Sequence, residues 1–365
     1  MEFHVRYNSK QSRELWIIAS AVAIVAAMLV WQFWLHGRPD DGARAGGADA
    51  NNPARAGHVA DAGPGGGRQA DSNTPGGLGA TKAPADANAE ITLLQGIDAA
   101  TAVKMVADGE KLLAKRKKAE GRAMLSKALL SGKLGEATAN TVRAKLEALA
   151  DEMIFSREVF DGDPYTAQYT FLQGEVLARV ERKLSLHVPT QILLKINRIG
   201  AGKDIRYGQA FKVIYGPFHA IVDKGDFNMD IFLHRDGFDP AFVKRLRVGL
   251  GKNGSTPVGM WRVKLGNKLV HAPWNPPPNA EEHRAIAWGQ PGYPLGKMGY
   301  WIGLEGMDAA TRAQEGSGGY GIHGTNDASS IGRASSLGCI RLADADIELV
   351  FFVLYEKWST VRVRP

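Results

Sequence analysis

Apolar and polar positions alternate in different ways along the chain, and each change of rhythm marks a change of element. Leu15 to Leu35 carries no charge and only one strongly polar residue, Gln32. A helix of that length spans about 30 Å, the thickness of a bilayer's hydrocarbon core. Trp16, Trp31 and Trp34 sit near its ends, and Arg6, Lys10 and Arg13 precede it. The pattern predicts a transmembrane helix over 15–35 with residues 1–14 in the cytoplasm and the rest across the membrane. Residues 36–90 are mostly Gly, Ala, Pro, Asp and Asn, a composition that buries too little apolar surface to fold, and predict a disordered linker.

Helical spacing follows in residues 91–160. Val103, Val106, Leu112 and Leu113 form one stripe, Met124, Leu125, Ala128 and Leu129 a second, and Leu146, Leu149, Met153 and Ile154 a third. Gly109 and Gly121 are expected to interrupt the first two helices, and Ser131-Gly132-Lys133 to stop the second. Such a segment reads as a spacer or docking element whose protein partner the sequence does not name. From about Tyr169 a short strand leads into a helix with Val176, Leu177, Val180 and Leu184. Pro189 opens a second helix ending at Asn197, and Phe211 to Ile214 closes with a strand.

Beyond Pro217 the rhythm becomes two-residue alternation. His219–Val222 and Met229–Leu233 flank a Lys224-Gly225-Asp226 turn and predict a hairpin; Val248–Gly251, Trp261–Leu265 and Thr360–Val363 predict further strands. One late helix, Asp344 to about Tyr355, is expected to use Asp344 as its N-cap. The fold class is therefore multidomain α+β, with a mainly β C-terminal domain over 218–365.

Charge adds little. The net +7 comes without a basic, aromatic-laced helix or a zinc spacing, which argues against nucleic acid as partner. The basic run Lys115 to Lys118 reads as a solvated face. His219, His271 and His283 show no metal-ligand spacing, and no metal or cofactor is expected. The candidate chemistry lies elsewhere. Cys339 is the only cysteine of 365 residues and follows Gly338, with His323 sixteen positions upstream (339 − 323). A thiol beside an imidazole can act as an acyl-transfer nucleophile, the ring taking its proton to give a thiolate–imidazolium pair. Gly338 would let amide N–H groups, including that of Cys339, face an oxyanion, and Arg341 offers a planar fork for a substrate carboxylate or a tie to the fold.

Two resemblances sharpen this. The strand–helix–helix–strand order over 167–216, with Asn197 and Gly208-Gln209 in place, resembles a LysM domain, which implies binding of N-acetylglucosamine-containing glycan strands. Where that family usually has Gly-Asp-Thr/Ser at the first helix, this chain has Gly174-Glu175-Val176. Thr256-Pro257-x-Gly259, Pro294-Leu-Gly296, Tyr300 to Leu304, Tyr320-x-Ile-His323-Gly324-Thr325, Ser330-Ile-Gly332 and Ser336-x-Gly338-Cys339-Ile-Arg341-Leu342 resemble, in order, the YkuD-type L,D-transpeptidase catalytic domain. That resemblance implies a peptidoglycan L,D-transpeptidase of the cell envelope. Cys339 would be the nucleophile, His323 the base, Gly324 the carbonyl that fixes the ring, Ser336 and Gly338 the loop and oxyanion residues, and Arg341 and Tyr320 substrate-binding residues. Leu337 departs from the histidine common at that position. A non-catalytic peptidoglycan-binding scaffold, an L,D-carboxypeptidase and a cysteine peptidase on wall peptides remain alternatives. The segment Ala272 to Met298 is read either as a lid bearing Trp274 and Trp288 or as packed decoration.

Overall fold

In the computed structural model, residues 96–365 are described except 201–202, 204, 277–279, 281–282 and 316–318. The expected cytoplasmic stretch, transmembrane helix and linker all fall outside the described residues. Among the described residues no helix is long and apolar enough to cross a membrane.

Three helices come first: α1 (Ala99–Ala114), α2 (Lys118–Leu130) and α3 (Glu136–Met153). Asp98 caps α1 by accepting from Thr101 N at 2.7 Å. The expected glycine interruptions do not occur. Gly109 and Gly121 lie inside α1 and α2, where the helices cross closely. A Cβ on Gly109 would come within 2.9 Å of Leu125, and one on Gly121 within 2.6 Å of Leu113. These glycines cost helix propensity and gain close packing. The basic run at 115–117 is an exposed turn between helices rather than a helical face. Leu125, Leu146, Leu149 and Met153 pack with Ile221, Phe232 and Phe242 of the sheet described below, so the helices share a core with it.

A buried ion pair, Arg122 to Asp163 at 2.7 Å, joins α2 to the next module, and Asp163 also accepts from Tyr165 N and Thr166 Oγ1. That module comprises β1 (Thr166–Thr170), α4 (Leu177–Leu184), α5 (Thr190–Ile196) and β2 (Ala210–Ile214), with β1 and β2 antiparallel. Asn197 knits it together: its amide donates to the carbonyls of Leu193 and Lys212 and its oxygen accepts from Lys212 N. Val176 starts α4 without a side-chain cap, as loss of a short polar residue there implies. Glu175 instead accepts from Leu172 N and Tyr169 Oη.

The C-terminal domain is built on β3 (Phe218–Asp223), β4 (Asn228–Leu233), β5 (Ala241–Arg247), β7 (Gly259–Leu269), β8 (Trp301–Gly306), β9 (Tyr320–Gly324), β11 (Ile340–Leu342) and β12 (Thr360–Arg364). They form one sheet in the order β11-β9-β8-β7-β12-β3-β4-β5. The β11–β9 and β12–β3 pairs are parallel and the others antiparallel. Two short strands, β6 (Leu250–Gly251) and β10 (Ala334–Ser336), pair alongside, while α6 (Ala309–Arg312) and α7 (Asp344–Val353) complete the domain. Asp344 is not the cap of α7: Ala343 precedes the helix, and the Asp344 carboxylate accepts from Lys297 N at 3.0 Å. Val180, Ile192 and Leu193 share one core with Ile322, Ile340, Leu342 and Val350, so the strand–helix–helix–strand module packs directly on this domain. His187 stacks on Trp358 at 3.5 Å and Lys195 pairs with Glu348 at this junction.

Candidate active site

The strands β9 and β11 bring the chemistry together. Their parallel register sets Ile340 beside Ile322, Arg341 beside His323 and Leu342 beside Gly324. Alternation turns Ile322, Ile340 and Leu342 into the core and leaves His323 and Arg341 on the other face. Cys339 immediately precedes this ladder and alternates onto the face of Arg341 and His323. The Gly321 backbone lies near enough to the thiol to oppose the rise in its pKa, which sets Cys339 beside the part of β9 that carries His323. Gly321 has to be glycine: a Cβ there would lie 2.6 Å from Ile302 O and 2.8 Å from the Trp301 ring.

His323 is buried and held from two directions. Its Nδ1 lies 2.6 Å from Gly324 O, so Nδ1 carries the proton and Nε2 is left as the basic atom. Trp301, its cross-strand partner on β8, stacks on the ring at a centroid distance of 5.8 Å. Gly324 is confined as well, since a Cβ there would meet Leu295 O at 2.9 Å. Fixing the ring through the carbonyl of residue 324 is the arrangement expected from the sequence.

The cysteine loop is gripped just as closely. Gly338 takes φ +145°, a conformation open to glycine and strained for other residues. Ser336 Oγ donates to Cys339 O at 2.7 Å and accepts from Gly338 N at 3.2 Å. Thr256, fully buried, donates through Oγ1 to Gly338 O at 2.8 Å and accepts from Gly251 N at 2.7 Å. Gly249 exchanges two backbone hydrogen bonds with Arg341, at 2.9 and 2.8 Å. Sequence reasoning marked Thr256 only as a landmark and overlooked Trp301 and Gly321. Their roles depend on partners 82 (338 − 256), 22 (323 − 301) and 18 (339 − 321) residues away, and no local pattern shows those.

Burial dominates the electrostatics of both groups. Burial pushes the Cys339 thiol up, opposed by the Gly321 hydrogen bond and by Arg341. Burial pulls His323 down to about 4, against the Gly324 hydrogen bond, with the Arg341 charge lowering it further. Each shift by itself favours the uncharged form of its group. No hydrogen bond joins the two side chains among those of the described residues.

Two further expectations change. Tyr320 does not face the site; it is buried in the core, its ring 4.5 Å from that of Trp261 and its hydroxyl unpartnered, although the Cys339 charge is felt there. The half-buried Arg341 makes no side-chain hydrogen bond or ion pair among the described residues, so its guanidinium does not tie the loop to the fold. Leu337 is half-buried beside Gly338. The described residues of 272–298 include a small packed cluster. Trp274 and Ile286 form a two-way bridge, and Ala272, Tyr293 and Leu295 make a small core that includes Trp301. Trp288 remains exposed, stacked on His271 and donating to Lys297 O at 3.0 Å. Among the described residues no group of three or more His, Cys, Asp or Glu side chains could hold a metal ion.

Residues 217–363 match the family model of the YkuD L,D-transpeptidase catalytic domain. A Bacillus licheniformis protein bearing the YkuD name is 44% identical over 57 residues, which cover 16% of this chain and 27% of that protein. The chain thus spans about a quarter of the curated relative's length. Similar solved structures include L,D-transpeptidase 3 from Mycobacterium tuberculosis, at 12% identity with a TM-score of 0.30. That alignment covers 58% of this chain and 96% of the other. The helical cell shape determining protein Pgp2 from Campylobacter jejuni is 20% identical with a TM-score of 0.28, over 40% and 47% of the two chains. The YkuD-type domain is therefore the segment that carries Cys339, His323 and Arg341.

Proposed function

We propose that the protein is a peptidoglycan L,D-transpeptidase that works through a Cys339 acyl-enzyme. The observation that carries this reading is the β9–β11 register, which sets Arg341 beside His323 and begins at Ile340, the residue after Cys339, within a family-matched segment. The substrate is a stem tetrapeptide. As Cys339 Sγ attacks the carbonyl of its third residue, His323 Nε2 takes the thiol proton, so charge develops only in the attack itself. The tetrahedral oxyanion needs donors. Gly338 N–H is already engaged by Ser336, which leaves the Cys339 N–H for this role. Collapse breaks the peptide bond, and His323 returns the proton to the departing amine of D-alanine. A second stem's amine then attacks the thioester, forming a 3→3 cross-link and regenerating the thiol. Arg341, unpaired and beside both reacting groups, is placed to bind a substrate carboxylate.

The N-terminal apolar stretch would hold the enzyme at the cytoplasmic membrane with its catalytic domain in the envelope, and residues 167–216 would bind glycan strands. Both belong to the proposal. The deciding experiment gives the full-length chain, purified in detergent, a disaccharide-tetrapeptide. Release of D-alanine that disappears in Cys339→Ala supports the reading. A well-folded wild type that releases none favours a scaffold, while internal cleavage without D-alanine release favours a peptidase.

A further inference from the structure

A polar cavity of about 530 Å³ opens between α3 and the end of β5, with neither Cys339 nor His323 in its lining. Its walls include Arg143 from α3, Arg245 and Arg247 from β5, and the carboxylates of Glu136 and Asp226. The three guanidinium groups are not equally satisfied. Arg245 is paired through a two-pronged contact with Asp230, at 2.6 and 2.7 Å. Arg143 gives one bond to Asn140 Oδ1 at 2.8 Å, and its Nε is buried without a partner. Arg247 donates to Asp226 O at 2.7 Å and reaches Asn228 Oδ1 at 3.4 Å. Neither Arg143 nor Arg247 forms an ion pair among the described residues, although Glu136 and Asp226 line the same space.

Burial lowers the pKa of Arg143 and Arg245 adds to the effect, while Asp230, Asp226 and Glu136 oppose it without pairing with Arg143. Arg247 is exposed and Arg143 half-buried, but the buried Nε of Arg143 lacks an acceptor, and an anion in the cavity would supply one. Planar forks from two different elements match the geometry of an oxyanion with several acceptor lone pairs. We infer that this cavity is a binding site for a small oxyanion, a phosphate or a carboxylate, held chiefly by Arg143 and Arg247. Arg247 also touches the segment that leads into β10. A Cβ on Gly332 would lie 2.8 Å from Arg247 Nη2, and Gly332 N–H donates to Val248 O at 2.9 Å. The inference stands apart from the transpeptidase reading, because it uses no residue of that site.

The test is a thermal-shift titration of the full-length chain at constant ionic strength set with sodium chloride. One arm adds inorganic phosphate, and another adds N-acetyl-alanyl-alanine with its C-terminal amide as the uncharged control. A saturable rise in melting temperature with phosphate alone identifies a phosphoryl site; a rise with the free-acid peptide alone identifies a peptide-carboxylate site. Arg143→Gln and Arg247→Gln should each weaken binding about tenfold. Glu136→Gln, which removes a competing carboxylate from the wall, should tighten it about threefold. The inference is overturned if no anion gives a saturable response beyond chloride, or if the double arginine variant, folded by circular dichroism, binds as wild type does. Should the arginine variants fail to fold, Glu136→Gln decides, and unchanged or weaker binding there counts against the site.

Discussion

Thr256 Oγ1 donates to the carbonyl of Gly338, the residue just before the single cysteine, while accepting the amide of Gly251. One buried hydroxyl thus bridges two loops distant in sequence and holds the Cys339 bend against β6. Replacing it with valine keeps the shape and leaves a buried N–H and C=O unpaired. Thr256→Val should lose about 1–3 kcal/mol of stability. D-alanine release should fall more steeply than the stability loss explains, and Thr256→Ser should restore most of it. Chemical denaturation with a single-turnover assay on both variants checks this; full activity in Thr256→Val would remove the hydroxyl from any positioning role.

The resting charge state of Cys339 can be read by alkylation. Burial raises the Cys339 thiol and holds His323 near 4, and both shifts oppose a thiolate at neutral pH. The rate of inactivation by iodoacetamide should keep climbing from pH 6 to above pH 9. A rate already on a plateau at pH 6 would instead reveal a preformed thiolate–imidazolium pair.

Acid should destabilise the fold through two buried histidines. His219 is held down to about 3 and His323 to about 4, both chiefly by burial. The unfolded chain, with histidines near 6.5, binds more protons than the folded one between those values. The stabilisation is therefore complete above about pH 6.5 and lost progressively as pH falls towards 4. Urea midpoints at pH 7.5, 6 and 4.5 should descend in that order. His219→Gln should lie lower at pH 7.5, because Thr360 loses its partner, and should show a shallower descent. Parallel pH dependences in the two proteins would rule out His219 as a source.

Gly321 couples the sulfur to the aromatic wall. Its missing side chain admits the Trp301 ring, and that ring in turn covers His323. Gly321→Ala should displace the indole and lower acylation by at least about tenfold, the cost typical of small misplacements in a catalytic site. Near-ultraviolet circular dichroism should change while the far-ultraviolet spectrum holds. Unaltered acylation by a carbapenem, followed by mass spectrometry, would show that the ring's position is immaterial.

Much of this was legible in the chain because short-range physics controls it. The β3–β4 hairpin follows from alternation about Lys224-Gly225-Asp226, the stop of α2 from Ser131-Gly132, and the bend at 338 from a glycine before the lone thiol. The errors share one cause. Gly109 and Gly121 look like breaks until the opposing helix is seen to need their bare Cα atoms. Tyr320 stands in the same motif as His323, yet strand alternation sends its ring inward. Asp344 has the right chemistry for a cap, and the amide of Lys297 claims it instead.

By itself the sequence determined the identities of the reacting groups and the local geometry each could adopt, since a thiol, an imidazole and a glycine carry their chemistry and backbone limits wherever they stand. Only the tertiary structure decided that His323 and Arg341 lie side by side, that burial pushes the thiol up and the imidazole down, and that three arginines meet beside α3. Distance, burial and charge pairing arise between segments that chain order keeps apart. The free energy of a buried group is set by those neighbours more than by its own type.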